Sequence, residues 1–221
     1  MLNYHVHIPL PDPMVNPATL KRQEFYSVRS SPSYAFDGEI DGGGGSAEMA
    51  KSIFDSRVEP KITKMLADRP EASIALKASS TGSTVKVSAK VSKVTSTSDK
   101  LRLQIALAED SVTYSGENGE RFHPMVVRSM ALDPTSAQGF ALKPGKGGTF
   151  EYTFDVAKAV ADAKAHLEDY ETNTRKGAYS FRQKKHEITG GFVVVAFVQD
   201  EATKKILQST LVKPAVSKGS K

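Results

Sequence analysis

The chain has 221 residues, 39% of them hydrophobic, with a formal net charge of +5 and no cysteine. The missing cysteine excludes disulfides, thiolate metal sites, cysteine nucleophiles and dithiol redox chemistry within this chain. No apolar run reaches the roughly 18 residues that a membrane-spanning helix needs.

Residues 1–70 carry 8 basic against 9 acidic residues, and the remainder 22 against 16. That asymmetry suggests two units. The basic residues are scattered along predicted strands, which favours a solvated surface over a nucleic-acid interface.

Met1 is not followed by a basic n-region and an apolar h-region, so no signal peptide is visible. Residues 2–8 alternate weakly and predict a strand. Pro9, Pro11 and Pro13 then force a loop. Asn16-Pro17 predicts a helix, Asn as N-cap and Pro at the first helical position, ending near Val28. Residues 33–36 predict a short strand between turns, and Gly42 to Gly45 a flexible linker. Ser46 is a candidate N-cap for a helix running to about Ala67, with a kink or break at Pro60.

After a boundary at residues 69–72 the period changes from about 3.6 to two. Ile74, Leu76 and Ala78 mark one strand. Thr81-Gly82-Ser83 marks a turn, and Val85, Val87, Ala89 and Val91 a second strand. Leu101, Leu103, Ile105 and Leu107 alternate with Arg102, Gln104, Ala106 and Ala108, predicting a strand with one buried and one wet face. Met125, Val126 and Val127 predict its neighbour, and Phe150, Tyr152 and Phe154 a further strand. Val156, Val160, Ala163 and Leu167 predict a helix inserted between strands. Residues 192–198 are apolar on both faces, which fits a buried central strand. Residues 206–212 predict the last strand. Short strands with regular turn signals argue for a β-sandwich.

Two groups of residues support a family resemblance. The first is Tyr4-His5-Val6-His7-Ile8-Pro9 and Pro11-Asp12-Pro13, with Arg22, Phe25-Tyr26, Ser31-Pro32 and Phe36-Asp37-Gly38. The second is residues 101–130 with Val194-Val195-Ala196-Phe197-Val198-Gln199-Asp200, Thr203-Lys204 and Leu207-Gln208. Together they resemble a group of exported bacterial proteins named after a twenty-eight-kilodalton outer-membrane protein, over most of residues 4–212.

That resemblance implies a thioredoxin-like domain followed by a β-sandwich, in the periplasm or outside the cell. Residues 2–8 would be the third strand of the thioredoxin-like fold, 16–28 its next helix, 33–36 the following strand and 47–66 the last helix. Pro32 would stand where that fold places a substrate-binding cis-proline. The first two strands and the CxxC helix of the fold have no counterpart here. Unpaired buried backbone groups cost about 1–3 kcal/mol each. The N-terminal unit is therefore expected to pack against the sandwich, exchange strands in a homodimer, or be partly disordered.

Several residues are candidates for chemistry, each beside a plainer reading. His5 and His7, two apart on a strand, would share a face and could ligate zinc or copper near Asp12, although structural histidines fit as well. Glu109, Asp110, Glu117 and Glu120 could offer oxygens to calcium, but match no EF-hand spacing. His123 could serve Ser115 or Ser129 as a base beside Arg128, but no GxSxG elbow or matched acid accompanies it. Arg175, Lys176, Arg182, Lys184, Lys185 and His186 interleave with Tyr179 and Phe181, without a recognised nucleic-acid module.

The sequence thus predicts an α+β chain. A truncated thioredoxin-like unit spans 1–70, an antiparallel immunoglobulin- or fibronectin-like sandwich with one inserted helix spans 71–213, and a disordered tail spans 214–221. The expected role is a non-catalytic exported or envelope-associated interaction or scaffold protein, with a protein partner, no cofactor and no nucleic acid. Homodimerisation through strand edges is open to it. The rival is the C-terminal part of a thioredoxin-like thiol–disulfide oxidoreductase whose CxxC segment lies upstream of Met1. Ligand binding by the sandwich loops rests on fold analogy alone.

Overall fold

The structure, a computed structural model, describes residues 1–46, 48–116, 119–133 and 139–216. It is α+β, and two sheets face one another. One has the order β11-β3-β4-β8, from Ala215–Val216, Ser73–Thr81, Thr84–Ser92 and Gly148–Asp155. The other has the order β10-β9-β5-β6, from Ile206–Val212, Phe192–Asp200, Leu101–Thr113 and Phe122–Met130, with β7 (Phe140–Ala141) beside β5. Pairing is antiparallel except where β11 runs parallel to β3. The predicted disordered tail therefore begins as a strand, Ala215 opposite Ser79 and Val216 opposite Ser80. Residues 217–221 lie outside the described residues.

The alternating apolar side chains meet between the sheets. Val85, Val87, Ala89 and Val91 of β4 face Leu101, Leu103, Ile105 and Leu107 of β5 and Val194, Ala196 and Val198 of β9 in one core. The wet face predicted for β5 is not wet. Gln104, Ala106 and Ala108 are buried as well. Ala106, Val193, Val195 and Phe197 form a second core on the outer face of that sheet, with Leu2, Tyr4 and Ala18 packed on it. A small residue such as Ala106 lets an overlying segment approach closely, so alternation alone did not show that a third layer would cover the face.

That layer begins with residues 2–8. They do not form the predicted strand. Asn3 makes one parallel bridge to Val126 on the outer edge of β6, with Asn3 N donating to Met125 O and Val127 N to Asn3 O, both at 3.0 Å. Residues 2–8 therefore do not pair with residues 33–36, and the N-terminal segment packs against the sandwich.

Helix α1, Pro17–Tyr26, starts as the sequence predicts. Asn16 accepts from the amides of Ala18 and Thr19, and Thr19 closes a capping box. Asn16 Nδ2 also donates to Val127 O at 2.8 Å, fixing the helix start to β6. Helix α4, Val156–Asp169, is the predicted insertion. Asp155 caps it, and it buries Ala159, Ala163 and Leu167.

The intervening lobe is a hairpin and a broken helix. Strand β1, Ser33–Phe36, pairs with β2, Glu39–Gly43, across Asp37-Gly38, whose φ values of 43° and 88° are those of a type I′ turn. Part of the predicted glycine linker is thus strand. The Asp-Gly dipeptide was the signal for it, but Glu-Ile-Asp-Gly-Gly has little strand propensity. The predicted long helix is α2, Ala50–Ile53, then a π turn, Phe54–Val58, then α3, Glu59–Leu66. The break precedes Pro60, which has no amide to continue an α ladder. Ala47 lies outside the described residues. None of the residues of α2, the π turn or α3 is buried.

Candidate functional site

The predicted site residues do not gather in one place. Most of them hold segments of chain together. Glu109 and Arg128, expected in different sites, form a buried ion pair 0% and 4% exposed. Arg128 Nε donates to Glu109 Oε2 at 2.8 Å, and Nη2 donates to the same oxygen. Glu109 Oε1 accepts from the amides of Thr189 and Gly190 at 2.9 and 2.6 Å. Arg128 also donates to the carbonyls of Lys185 and Glu187. The pair thus ties residues 185–190 to the sheet through backbone groups, and its polar atoms are consumed in doing so.

The calcium candidates point elsewhere from one another. Asp110 pairs with Lys213 at 2.7 Å, and Glu120 Oε1 accepts from Phe122 N. Glu117 lies outside the described residues. His123 Nε2 lies 3.0 Å from Tyr114 O. A carbonyl only accepts, so that nitrogen carries a proton and is no base for Ser115 or Ser129. In the basic segment, Lys184 pairs with Glu171 at 2.7 Å and Phe181 is buried against Tyr170 and His7. Its central aromatic therefore packs inward and does not offer a face to bases.

His5 and His7 part company. His5 Nδ1 lies 2.7 Å from Asp12 Oδ2, and its ring meets His123 edge-on. His7 turns to α4, its Nε2 3.2 Å from His166 Nε2 and its ring stacked 3.9 Å from Tyr170. Asp12 serves both, as the sequence proximity suggested, with its carboxylate on His5 and its amide on His7 Nδ1. No group of three or more potential metal-ligating side chains occurs among the described residues. His166 was missed. A lone histidine in the last turn of a helix gives no long-range signal, since it also complements the helix dipole.

A second joint brings together residues of both resemblance stretches. Buried Arg22 donates from Nη2 to Gln199 Oε1 at 2.8 Å and to the Tyr26 hydroxyl at 3.1 Å. Its guanidinium lies over the rings of Phe25, Tyr26 and Phe197. Gln199 Nε2 donates to the Tyr26 hydroxyl and to Lys204 O, both at 2.7 Å. Burial pushes the nearby Tyr4 hydroxyl up to about 12, against the pull of Arg22. The hairpin turn docks here too. Ile206 N donates to Asp37 O at 2.7 Å. A Cβ on Gly38 would stand 1.8 Å from Lys204 O, so only glycine fits this approach. Pro32 is exposed at the start of β1, its carbonyl accepting from Gly44 N at 3.0 Å, and both Ser31–Pro32 and Ile8–Pro9 are cis.

One lobe also leaves several large apolar side chains in water. Of eleven exposed large hydrophobic residues among the described residues, Ile40, Met49, Phe54, Ile62 and Leu66 fall in the hairpin and broken-helix lobe, and Leu66 is 80% exposed. Phe36, Ile62, Met65 and Leu66 line a shallow groove there with Asp37. Two of the adjoining lysines are paired, Lys51 with Asp55 and Lys61 with Asp41. The Asp41 hydrogen bond raises the pKa of Lys61.

No family model matches the chain, and no curated protein matches it. Among solved structures it is similar to the crystal structure of a domain of the outer membrane lipoprotein Omp28 from Porphyromonas gingivalis. The two are 18% identical, the match covers 67% of this chain and 99% of that chain, and the TM-score is 0.37. The resemblance is loose.

Proposed function

We propose that this chain is a non-catalytic, envelope-associated interaction module that takes a protein partner on the outer face of the hairpin and broken helix. Residues 71–213 are the scaffold in this reading, and residues 1–70 carry the contact surface. The observation that carries it is that Ile40, Met49, Phe54, Ile62 and Leu66 of one lobe are large apolar side chains left in water, with Ile62 and Leu66 lining one groove beside Phe36 and Met65. Apolar surface concentrated in this way marks an association site. Lys51 pairs with Asp55 and Lys61 with Asp41 in this lobe, which lowers the charge that an apolar protein face would have to desolvate there. The periplasmic or extracellular location rests on the sequence resemblance.

The oxidoreductase alternative draws less support. It places residues 2–8 and 33–36 in one sheet flanking a redox strand, with Pro32 facing the redox site. Here residues 2–8 lie along β6, and β1 pairs with β2.

The test is affinity capture from envelope extract with the full chain and with a Phe54→Asp/Leu66→Asp variant, combined with light scattering of each purified protein. The wild type should retain a defined protein at fixed stoichiometry, and the variant should lose it at least about ten-fold. Equal retention by both would refute this surface. Self-association of the wild type, lost in the variant, would assign the surface to a second copy and overturn the choice of a foreign partner.

A further inference from the structure

The contact between His7 and His166 has a proton arrangement that its surroundings fix. The Asp12 amide donates to His7 Nδ1 at 3.1 Å. An amide only donates, so His7 Nδ1 carries a lone pair and neutral His7 holds its proton on Nε2. That proton points at His166 Nε2, 3.2 Å away, which must accept it. His166 therefore holds its own proton on Nδ1. A further proton on the pair has no acceptor. On His7 Nδ1 it would meet the Asp12 N–H, and on His166 Nε2 it would meet the His7 N–H.

The charged and titratable neighbours offer little relief. Asp12 favours a protonated His7, but its Oδ2 is taken by His5 Nδ1 and its Oδ1 by the Met14 amide. Asp169, which favours a protonated His166, accepts from Asn173 through Oδ1. Glu171 is held by Lys184 and by the Phe181 amide behind the stack. Tyr170 contributes a ring face to His7, and His123 faces His5. Burial and the neighbouring His166 lower His7 to about 4, and burial lowers His166 as well.

His7 belongs to the segment that covers the free edge of β6 through the single Asn3–Val126 bridge, while Leu2 and Tyr4 lie on the outer core. We propose that the His7–His166 pair is an acid-released latch: a proton arriving at the pair frees residues 2–8, opening the edge of β6 and the apolar patch around Ala106, Val127 and Val195. The sign follows from linkage. The freed segment binds protons near the ordinary histidine pKa of about 6.5, the docked pair only well below it. Docking is complete above about 6.5 and is lost as pH falls towards about 4.

The test is hydrogen exchange of the Asn3 and Val127 amides, corrected for intrinsic rates, from about pH 7.5 to about pH 4.5. Protection at both should fall at least about ten-fold while the Val87 amide within the sandwich holds. His166→Gln keeps an oxygen to accept from His7 Nε2 but does not titrate, and should hold its protection to lower pH. No fall, an equal fall at Val87, or a variant matching the wild type would overturn the latch. A ring-nitrogen NMR titration of the wild type decides independently of the variant. The latch requires the Nε2–H form of His7 with a midpoint well below 6.5, and an Nδ1–H form or a midpoint near 6.5 refutes it.

Discussion

Strands β5 and β9 and the broken helix of residues 50–66 treat their side chains in opposite ways. β9 is buried almost throughout because one face meets the second sheet and the other meets residues 2–19. β5 is buried likewise over most of its length, and even its Glu109 is inside, fully occupied by Arg128 and two backbone amides. The broken helix buries no residue and leaves Phe54 and Leu66 in water. Its lobe meets the sandwich at the Asp37 carbonyl and at Gly38, where the fit is one of backbone against backbone. Stability in this molecule is thus concentrated in the sandwich, and the broken helix, which buries no residue, contributes little to it.

Substitutions can break that contrast. Glu109→Ala should have the largest effect, since it strands a buried guanidinium and removes the acceptor of the Thr189 and Gly190 amides. A loss of about 3–5 kcal/mol is expected in urea denaturation, as when one partner is removed from a buried pair. Asn16→Ala is intermediate, removing the cap of α1 and its bond to Val127, and should lose about 1–2 kcal/mol in the same measurement. Leu66→Ala should change global stability by less than about 0.5 kcal/mol, as an exposed substitution does. A loss from Leu66→Ala as large as that from Asn16→Ala would show that the lobe belongs to the core, and the contrast would fail.

Much of the sandwich was legible because strand alternation is a local signal. Val85 to Val91 and Leu101 to Leu107 announce the buried faces by spacing alone, and Asn16-Pro17 announces a helix start through its own hydrogen-bonding chemistry. The docking of residues 2–8 on β6 was not legible, because an extended segment with weak alternation reads the same whether it joins a sheet or lies on one. The strand after Asp37-Gly38 was recoverable from its turn dipeptide and was hidden by its glycines. At the candidate sites, His5 and Asp12 could be linked by proximity in sequence. His7 and His166, or Glu109 and the amides of Thr189 and Gly190, are separated by long stretches of chain that carry no mark of the contact.

The sequence by itself determined the strand periods, the α1 cap, the inserted helix and the lack of thiol chemistry, since each depends on neighbouring residues or on composition. Only the tertiary structure decided that residues 2–8 cover β6, that His7 faces His166 and not His5, that Glu109 and Arg128 share one buried site, and that the apolar face of residues 50–66 stays in water. Those outcomes depend on which distant surfaces meet. Ion pairs, histidine protonation and exposure are properties of such meetings, and the side chains involved are compatible with several of them until the chain has folded.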